Sequence, residues 1–124
     1  MKSRTVTNVT LSTSLCILVF AFSSSGLAQE ILSVANTSRS LGNGRWEWTV
    51  FINASPQVLR QIECVEYTLH PTFPRPVQRI CAIGDSNKPF GLSATGWGSF
   101  QIRVRVFMRD RRVVEGSHDL RLSP

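Results

Sequence analysis

A proline-rich segment, residues 67–76, contains the side chains best suited to bind a ligand. It reads Tyr-Thr-Leu-His-Pro-Thr-Phe-Pro-Arg-Pro and brings an imidazole, a hydroxyl and a phenyl ring close together at His70, Thr72 and Phe73. Each proline fixes its own φ and pushes the preceding residue toward extended backbone. The sequence therefore predicts a stiff loop that presents these three groups.

A glycine-rich segment, residues 96–100, adds two aromatic rings. It reads Gly-Trp-Gly-Ser-Phe, and glycines such as Gly98 let the backbone turn sharply and let a ligand approach closely. A planar amide stacks well between aromatic faces such as those of Trp97 and Phe100. A hydroxyl offers such an amide both a donor and an acceptor. From the residues alone, an aromatic cage for a cation is equally open.

Burial in the hydrophobic core is the alternative role for these aromatic residues. Phe100 begins a strand whose same-face neighbours are apolar, so core and pocket are both open for it. Trp97 lies between glycines in a turn, which favours a pocket. His70 precedes a proline, where a histidine is often a hydrogen-bonded loop residue.

The two segments resemble the signature of the YEATS domain, in which a Leu-His-Pro-Ser/Thr-Phe-Pro-type loop faces a Gly-Trp/Tyr-Gly-x-Phe loop. Further matches are found at residues 48–52, 65–67 and 118–122, so the resemblance extends from about Trp46 to Leu122. The chain resembles prokaryotic members of this family. The resemblance implies an all-β, immunoglobulin-like β-sandwich that binds acylated lysine without catalysis or a cofactor. The implied partner is an acyl-lysine-like peptide or another protein.

The resemblance also implies a role for each residue of the two loops. Phe73 and Trp97 would form the walls of an aromatic slot, and the Thr72 hydroxyl and the Trp97 backbone N–H would hold the amide. His70 and Phe100 would close its floor and side. The implied ligand-binding set is His70, Thr72, Phe73, Trp97, Gly98 and Phe100.

Period-two alternation through the rest of the chain predicts the same fold class independently. The clearest strand, residues 99–109, alternates apolar residues with mostly polar ones, and Gly42-Asn43-Gly44 is a hairpin turn signal. Several short strands separated by turn residues indicate a β-sandwich. The predicted strands are 29–36, 45–53, 62–69, 77–83, 90–94, 99–109, 113–115 and 118–122, with one helical turn at 57–61.

The N-terminal residues have the layout of a secretory signal peptide. A short basic start precedes an apolar stretch at residues 11–22, and small residues precede a cleavage point after Ala28. The apolar stretch is short for a membrane span, although an uncleaved anchor is the alternative. We expect a signal peptide at 1–28, one domain at 29–124, and a secreted or periplasmic monomer with no stable membrane insertion.

Export also changes the cysteine count and the charge. The chain has three cysteines and a formal net charge of +6. Removing residues 1–28 leaves Cys64 and Cys81, with 12 basic and 8 acidic residues and a net charge of +4. An even count in a small exported domain predicts a Cys64–Cys81 disulfide, with two buried free thiols as the alternative.

Other chemistries have weak sequence support. Ser99, His70 and Asp119 could be written as a triad, but no nucleophile elbow surrounds Ser99. The two histidines and two cysteines lack zinc spacing, so no metal site is expected. A stripe of five arginines favours a solvated strand face over an anion site, so no nucleic acid is expected; it comprises Arg103, Arg105, Arg109, Arg111 and Arg112.

The alternative function belongs to a different class. The chain would then be an exported structural or assembly domain of the cell envelope. It would bind another protein through its sheet edge or its basic face, and its aromatic residues would be packed in the core.

Overall fold

Two antiparallel sheets enclose one apolar core in the computed structural model, which describes residues 32–123. The predicted signal segment, residues 1–28, and the start of the predicted first strand, residues 29–31, lie outside the described residues. The strands are β1 (Leu32–Gly42), β2 (Arg45–Ala54), β3 (Ile62–Thr68), β4 (Val77–Ile80), β5 (Leu92–Gly96), β6 (Gln101–Met108) and β7 (Val113–Asp119), and the helix is α1 (Pro56–Arg60).

The strand order confirms the predicted immunoglobulin-like β-sandwich. One sheet has the order β1-β2-β5 and the other the order β4-β3-β6-β7, with every pair antiparallel. The alternating residues of β2 and β6 point into the space between the sheets, as their period predicts. The core therefore consists of side chains from both sheets, among them Trp48, Val50, Ile52, Leu92, Val65, Tyr67, Ile102, Val104, Val106 and Met108.

The turn between β1 and β2 has the predicted hairpin geometry. Asn43 and Gly44 both have positive φ, 56° and 79°, as a type I′ turn requires. Helix α1 also lies where one helical turn is predicted. Ser55 caps it by accepting the Val58 backbone N–H at 3.3 Å, and Pro56 occupies its first turn.

Strand β1 is longer than predicted. The polar run at residues 36–40 was expected to end the strand, yet it pairs with β2 from Leu32↔Ala54 to Gly42↔Arg45, with a bulge between Ser40 and Gly42. The polar side chains of this run are exposed or half-buried, so none of them has to enter the core for the backbone to pair. Backbone pairing therefore overrides the composition signal.

Other strand boundaries also differ from the prediction. β4 ends at Ile80, one residue before Cys81, and the predicted strand at 90–94 begins only at Leu92 because Phe90 has a φ of +53°. The two predicted C-terminal strands are one strand, β7, because Gly116 and Ser117 stay in the ladder with β6. Residues 120–122 follow that strand and do not extend it.

A buried hydrogen bond ties the two sheets together. The Tyr67 hydroxyl, on β3, donates to the Phe90 carbonyl at 2.6 Å, just before β5. Burial raises the pKa of Tyr67, so the hydroxyl keeps the proton that it donates. The bond fixes the carbonyl of Phe90, a residue whose positive φ is strained for a large side chain.

The C-terminal segment seals the open edge of β1. The Asn36 side chain donates to the Arg121 carbonyl at 2.8 Å, and its Oδ1 accepts the Arg121 N–H at 3.0 Å. The His118 ring lies 2.7 Å from that same Oδ1. Ser38 makes a matching pair of bonds to Ser123, at 3.1 Å each. Side chains thus replace a missing ladder between β1 and the segment after β7.

The predicted disulfide between Cys64 and Cys81 is present, with the two Cα atoms 4.1 Å apart. The register of β3 and β4 ends at Val65↔Ile80, so the two cysteines form the next pair along the ladder. The bridge therefore extends the pairing of the short strand β4 and closes a loop that contains the proline-rich segment.

We predict that replacing both cysteines by alanine lowers the free energy of unfolding by about 3 kcal/mol, because the reduced chain gains loop-closure entropy in the unfolded state. Urea unfolding followed by tryptophan fluorescence measures this difference. Reduced wild-type protein should match the double variant. An unchanged unfolding midpoint in both samples would show that the bridge does not constrain the unfolded chain.

We also predict a loss of stability as the pH falls below about 6.5, the ordinary histidine pKa. Burial lowers the pKa of His118, the positive charge of Arg121 lowers it further, and Asp119 acts in the opposite direction. The unfolded chain therefore takes up the proton first, and the stability present above that pH is lost as the pH falls through the lower folded pKa.

Melting temperatures at pH 7 and pH 5 measure the effect, with His118→Gln as the comparison because glutamine can still donate to Asn36. The wild type should lose more between the two pH values than the variant. Equal losses would show that other groups carry the pH dependence.

Candidate functional site

An open cavity of about 450 Å³ lies between the proline-rich and glycine-rich segments. All six residues of the predicted set border it. Its lining residues are Arg45, His70, Thr72, Phe73, Pro74, Thr95, Gly96, Trp97, Gly98, Ser99 and Phe100. The structure thus brings the predicted residues together around open space, and the prediction that they bind a ligand stays a prediction.

The proline loop, residues 69–76, is closed at its base and turned at its tip by backbone hydrogen bonds. Leu69 donates to the Pro76 carbonyl at 2.7 Å, and Phe73 donates to the His70 carbonyl at 3.1 Å. The prolines restrict the backbone between these two bonds. The loop therefore holds its side chains in place without regular secondary structure.

His70 and Thr72 form a local polar pair at this tip. The Thr72 backbone N–H donates to His70 Nδ1 at 3.3 Å, and the Thr72 hydroxyl lies 2.9 Å from the same nitrogen. Because Nδ1 accepts from the backbone, the hydroxyl acts toward it as a donor. The lone pairs of Thr72 Oγ1 then remain to accept a hydrogen bond, such as one from an amide N–H.

The two phenylalanines of the site have a double role. Phe73 and Phe100 are half-buried, with ring centroids 5.5 Å apart, and both pack edge-on against the buried ring of Trp48, at 6.1 and 5.9 Å. They belong to the rim of the core and also line the cavity. For Phe100, both roles that the sequence left open are therefore realised.

Trp97 lies in an exposed part of the site. Its side chain is 68% exposed, and the Arg45 guanidinium carbon lies 5.6 Å from its ring centroid. The last ladder pair of β2 and β5 is Trp46↔Gly96, so continuing the register places Arg45 across from Trp97. A ring with this exposure is not packed in the core. The alternative function, in which the aromatic residues are core residues, does not fit Trp97.

Five residues of the cavity lay outside the predicted ligand-binding set, namely Arg45, Pro74, Thr95, Gly96 and Ser99. Pro74 and Ser99 lie within the proline-rich and glycine-rich segments, so their neighbours in the sequence could have indicated them. Arg45 and Thr95 reach the site through the pairing of β2 with β5. A single sequence does not reveal that register.

The contacts around Ser99 do not assemble a triad within residues 32–123. His70 Nδ1 is engaged by Thr72, and the Asp119 carboxylate accepts from Gln101 at 3.4 Å. Among these described residues, no three His, Cys, Asp or Glu side chains lie close enough together to hold a metal ion. None of the helices described here is long and apolar enough to cross a membrane.

Among residues 32–123, two of the five arginines of the basic stripe, Arg105 and Arg112, have acidic partners. Arg105 contacts Glu115 at 3.0 Å and Glu66 at 3.6 Å, and Arg79 contacts Glu66 at 3.5 Å. Arg79 and Arg105 also lie over the Phe107 ring, at 4.3 and 5.3 Å. These contacts pair the charge of Arg105, while no ion pair is found for Arg103, Arg109 or Arg111 in the described part of the chain, and the solvated face stays a prediction.

Comparisons with known proteins agree with this geometry. The family model of the prokaryotic YEATS domain matches residues 46–121. The AF-9 homolog of Kluyveromyces lactis is 34% identical over 82 residues, which cover 62% of this chain and 35% of that protein. The AF-9 homologs that the chain matches are much longer, and its alignments span 34% to 47% of their length.

Solved structures of a yeast relative have the same fold. The Yaf9 YEATS domain bound to H3K27ac aligns with a TM-score of 0.61 and 32% identity, over 76% of this chain and 72% of that one. The same domain recognizing an H3K122suc peptide aligns with a TM-score of 0.61 and 32% identity, over 74% and 71%. On the family model and these alignments together, the chain belongs to the prokaryotic YEATS domain family.

Proposed function

We propose that this domain is a non-enzymatic binding module that accepts an acylated lysine side chain, or a similar planar amide, in the cavity between its two loops. The observation that carries this proposal is the open, aromatic-lined cavity itself. The similarity of the chain to Yaf9 domains that bind acetylated and succinylated histone peptides supports the same ligand class.

The cavity offers complementary chemistry for each part of the ligand. The rings of Phe73 and Trp97 would flank the flat amide, and Thr72 Oγ1 would accept the amide N–H. The Trp97 backbone N–H would donate to the acyl carbonyl, with Gly98 beside it leaving room for the chain. Each aromatic contact contributes about 0.5–1.5 kcal/mol beyond area burial. An unmet buried amide group costs on the order of 1–3 kcal/mol, so the polar partners decide specificity.

We also propose that the domain works outside the cytoplasm after removal of residues 1–28. The signal-like N-terminus motivates this proposal, and the Cys64–Cys81 bridge supports it because such bonds persist in oxidising compartments. The natural histone ligands of the yeast domains would then be replaced by another acylated protein.

We predict that the protein expressed with its natural N-terminus is recovered from the periplasm or medium with a mass that begins at Gln29, because a signal peptidase inspects the small residues before that point. Intact-mass measurement of the fractions checks it. Recovery of the uncut chain in the membrane fraction would support an anchor instead.

We predict that the oxidised protein binds acetyl- and crotonyl-lysine peptides and does not bind the unmodified peptide. Trp97→Ala should weaken binding about tenfold, since it removes one stacking wall. It should change the free energy of unfolding by no more than about 0.5 kcal/mol, because the ring is largely exposed. Calorimetric titration and urea unfolding measure the two quantities.

Two further variants sharpen this test. Thr72→Val keeps the side-chain shape but removes the acceptor, and it should also weaken binding about tenfold. Val113→Ala truncates an exposed apolar residue that does not line the cavity, and it should leave affinity unchanged. Failure of all acylated peptides to bind would remove the proposed function and favour a protein-assembly role.

A further inference from the structure

Arg45 is held at the cavity by contacts to two other lining residues. It is the first residue of β2, immediately after the type I′ turn, and its guanidinium lies over the Trp97 ring. Its Nη2 donates to Thr95 Oγ1 at 3.4 Å. The turn and the pairing of β2 position the Arg45 backbone, and the Trp97 ring and the Thr95 hydroxyl position its guanidinium.

The charge of Arg45 has no carboxylate partner among residues 32–123. The ion pairs of that part of the chain engage Arg39, Arg79, Arg105 and Arg112. No aspartate or glutamate borders the cavity, and Arg45 is the lining residue with a permanent charge. Arg105, on the outer face of β6, by contrast already has two acidic partners.

We infer that Arg45 makes the site selective for an acyl chain that ends in a carboxylate, such as a succinyl group. The inference rests on the proposed function and names the ligand subclass. A guanidinium presents several N–H donors in a fixed plane that matches a carboxylate, and charge-assisted bonds are stronger than neutral ones. The contacts to Trp97 and Thr95 restrict the Arg45 side chain before a ligand arrives, which reduces the side-chain entropy lost on binding.

The geometry also accounts for where selectivity would reside. The amide-binding groups, Thr72 and the aromatic walls, act on every acylated lysine alike. Arg45 adds an interaction that only a negatively charged chain end can use. An uncharged chain of similar length would instead leave the guanidinium solvated, so it would gain nothing from Arg45.

The test compares butyryl-lysine and succinyl-lysine in the same peptide with uncharged flanking residues. At low salt the wild-type protein should bind the succinyl peptide about five- to tenfold more tightly, and this preference should shrink as salt screens the ion pair. Arg45→Gln should weaken succinyl binding more than butyryl binding and so abolish the preference, and Arg45→Lys should retain part of it. Arg103→Gln removes the same charge from the outer face of β6 and should leave the preference intact.

Each other outcome overturns the inference in a distinguishable way. Equal weakening of both ligands by Arg45→Gln would show that Arg45 only supports Trp97. If Arg45→Gln weakens binding only of a butyryl peptide that carries a flanking glutamate, then Arg45 contacts the residues beside the modified lysine and not the acyl chain. Binding of acetyl- and butyryl-lysine with no succinyl preference would overturn this inference and leave the proposed function standing. Silence from every acyl peptide would overturn both.

Discussion

The buried ring of Trp48 is the packing constraint on which the site depends. It is 1% exposed, lies on the central strand of the smaller sheet, and receives Phe73 from one loop and Phe100 from the other. Two loops that are far apart in sequence therefore rest on the same core side chain. Because protein interiors are close-packed, a change in the volume of this ring must move both phenylalanines. The shape of the cavity floor is thus a property of the core.

The same ring carries an energetic cost. Trp48 Nε1 is buried without a hydrogen-bond partner in the described part of the chain. Gly96 lies beside this nitrogen, since a side-chain Cβ at that position would be 3.9 Å from it. An unpaired buried donor costs on the order of 1–3 kcal/mol, which the edge-on aromatic contacts must offset. Trp48 is therefore kept at this position by its size and by its contacts to the floor residues, since its polar atom contributes no bond.

The alternation of apolar and polar residues and the short sequence motifs predicted most of the strands and both loops that border the cavity. The alternation in β2 and β6 identified the core face, and the Gly42-Asn43-Gly44 turn identified the hairpin. Both loops that border the cavity could be read from prolines, glycines and aromatics. These features depend on residues that are neighbours in the chain, so one sequence is enough to find them.

The features that the sequence did not predict depend on non-local pairing. β1 continues through a polar run because the backbone of β2 is available to it, and β7 continues through Gly116 because β6 pairs with it. Arg45 enters the site because the register of β2 and β5 places it opposite Trp97. Neither composition nor periodicity contains that register. The Asn36 contacts to Arg121 likewise join residues at opposite ends of the domain.

The site accordingly has a floor and a rim that are subject to different physical demands. The floor, where Phe73 and Phe100 rest on Trp48, is fixed by core packing, so its composition is limited by stability, and Phe73 rises from it as one wall of the proposed slot. The rim, Trp97 and Arg45, is exposed and has few structural duties, so its composition is free to follow the ligand. A large aromatic ring that stays mostly in water gains little for folding, so core packing does not determine the residue at this position. Differences in ligand choice within such a fold are therefore expected at the rim, on a floor that stays constant.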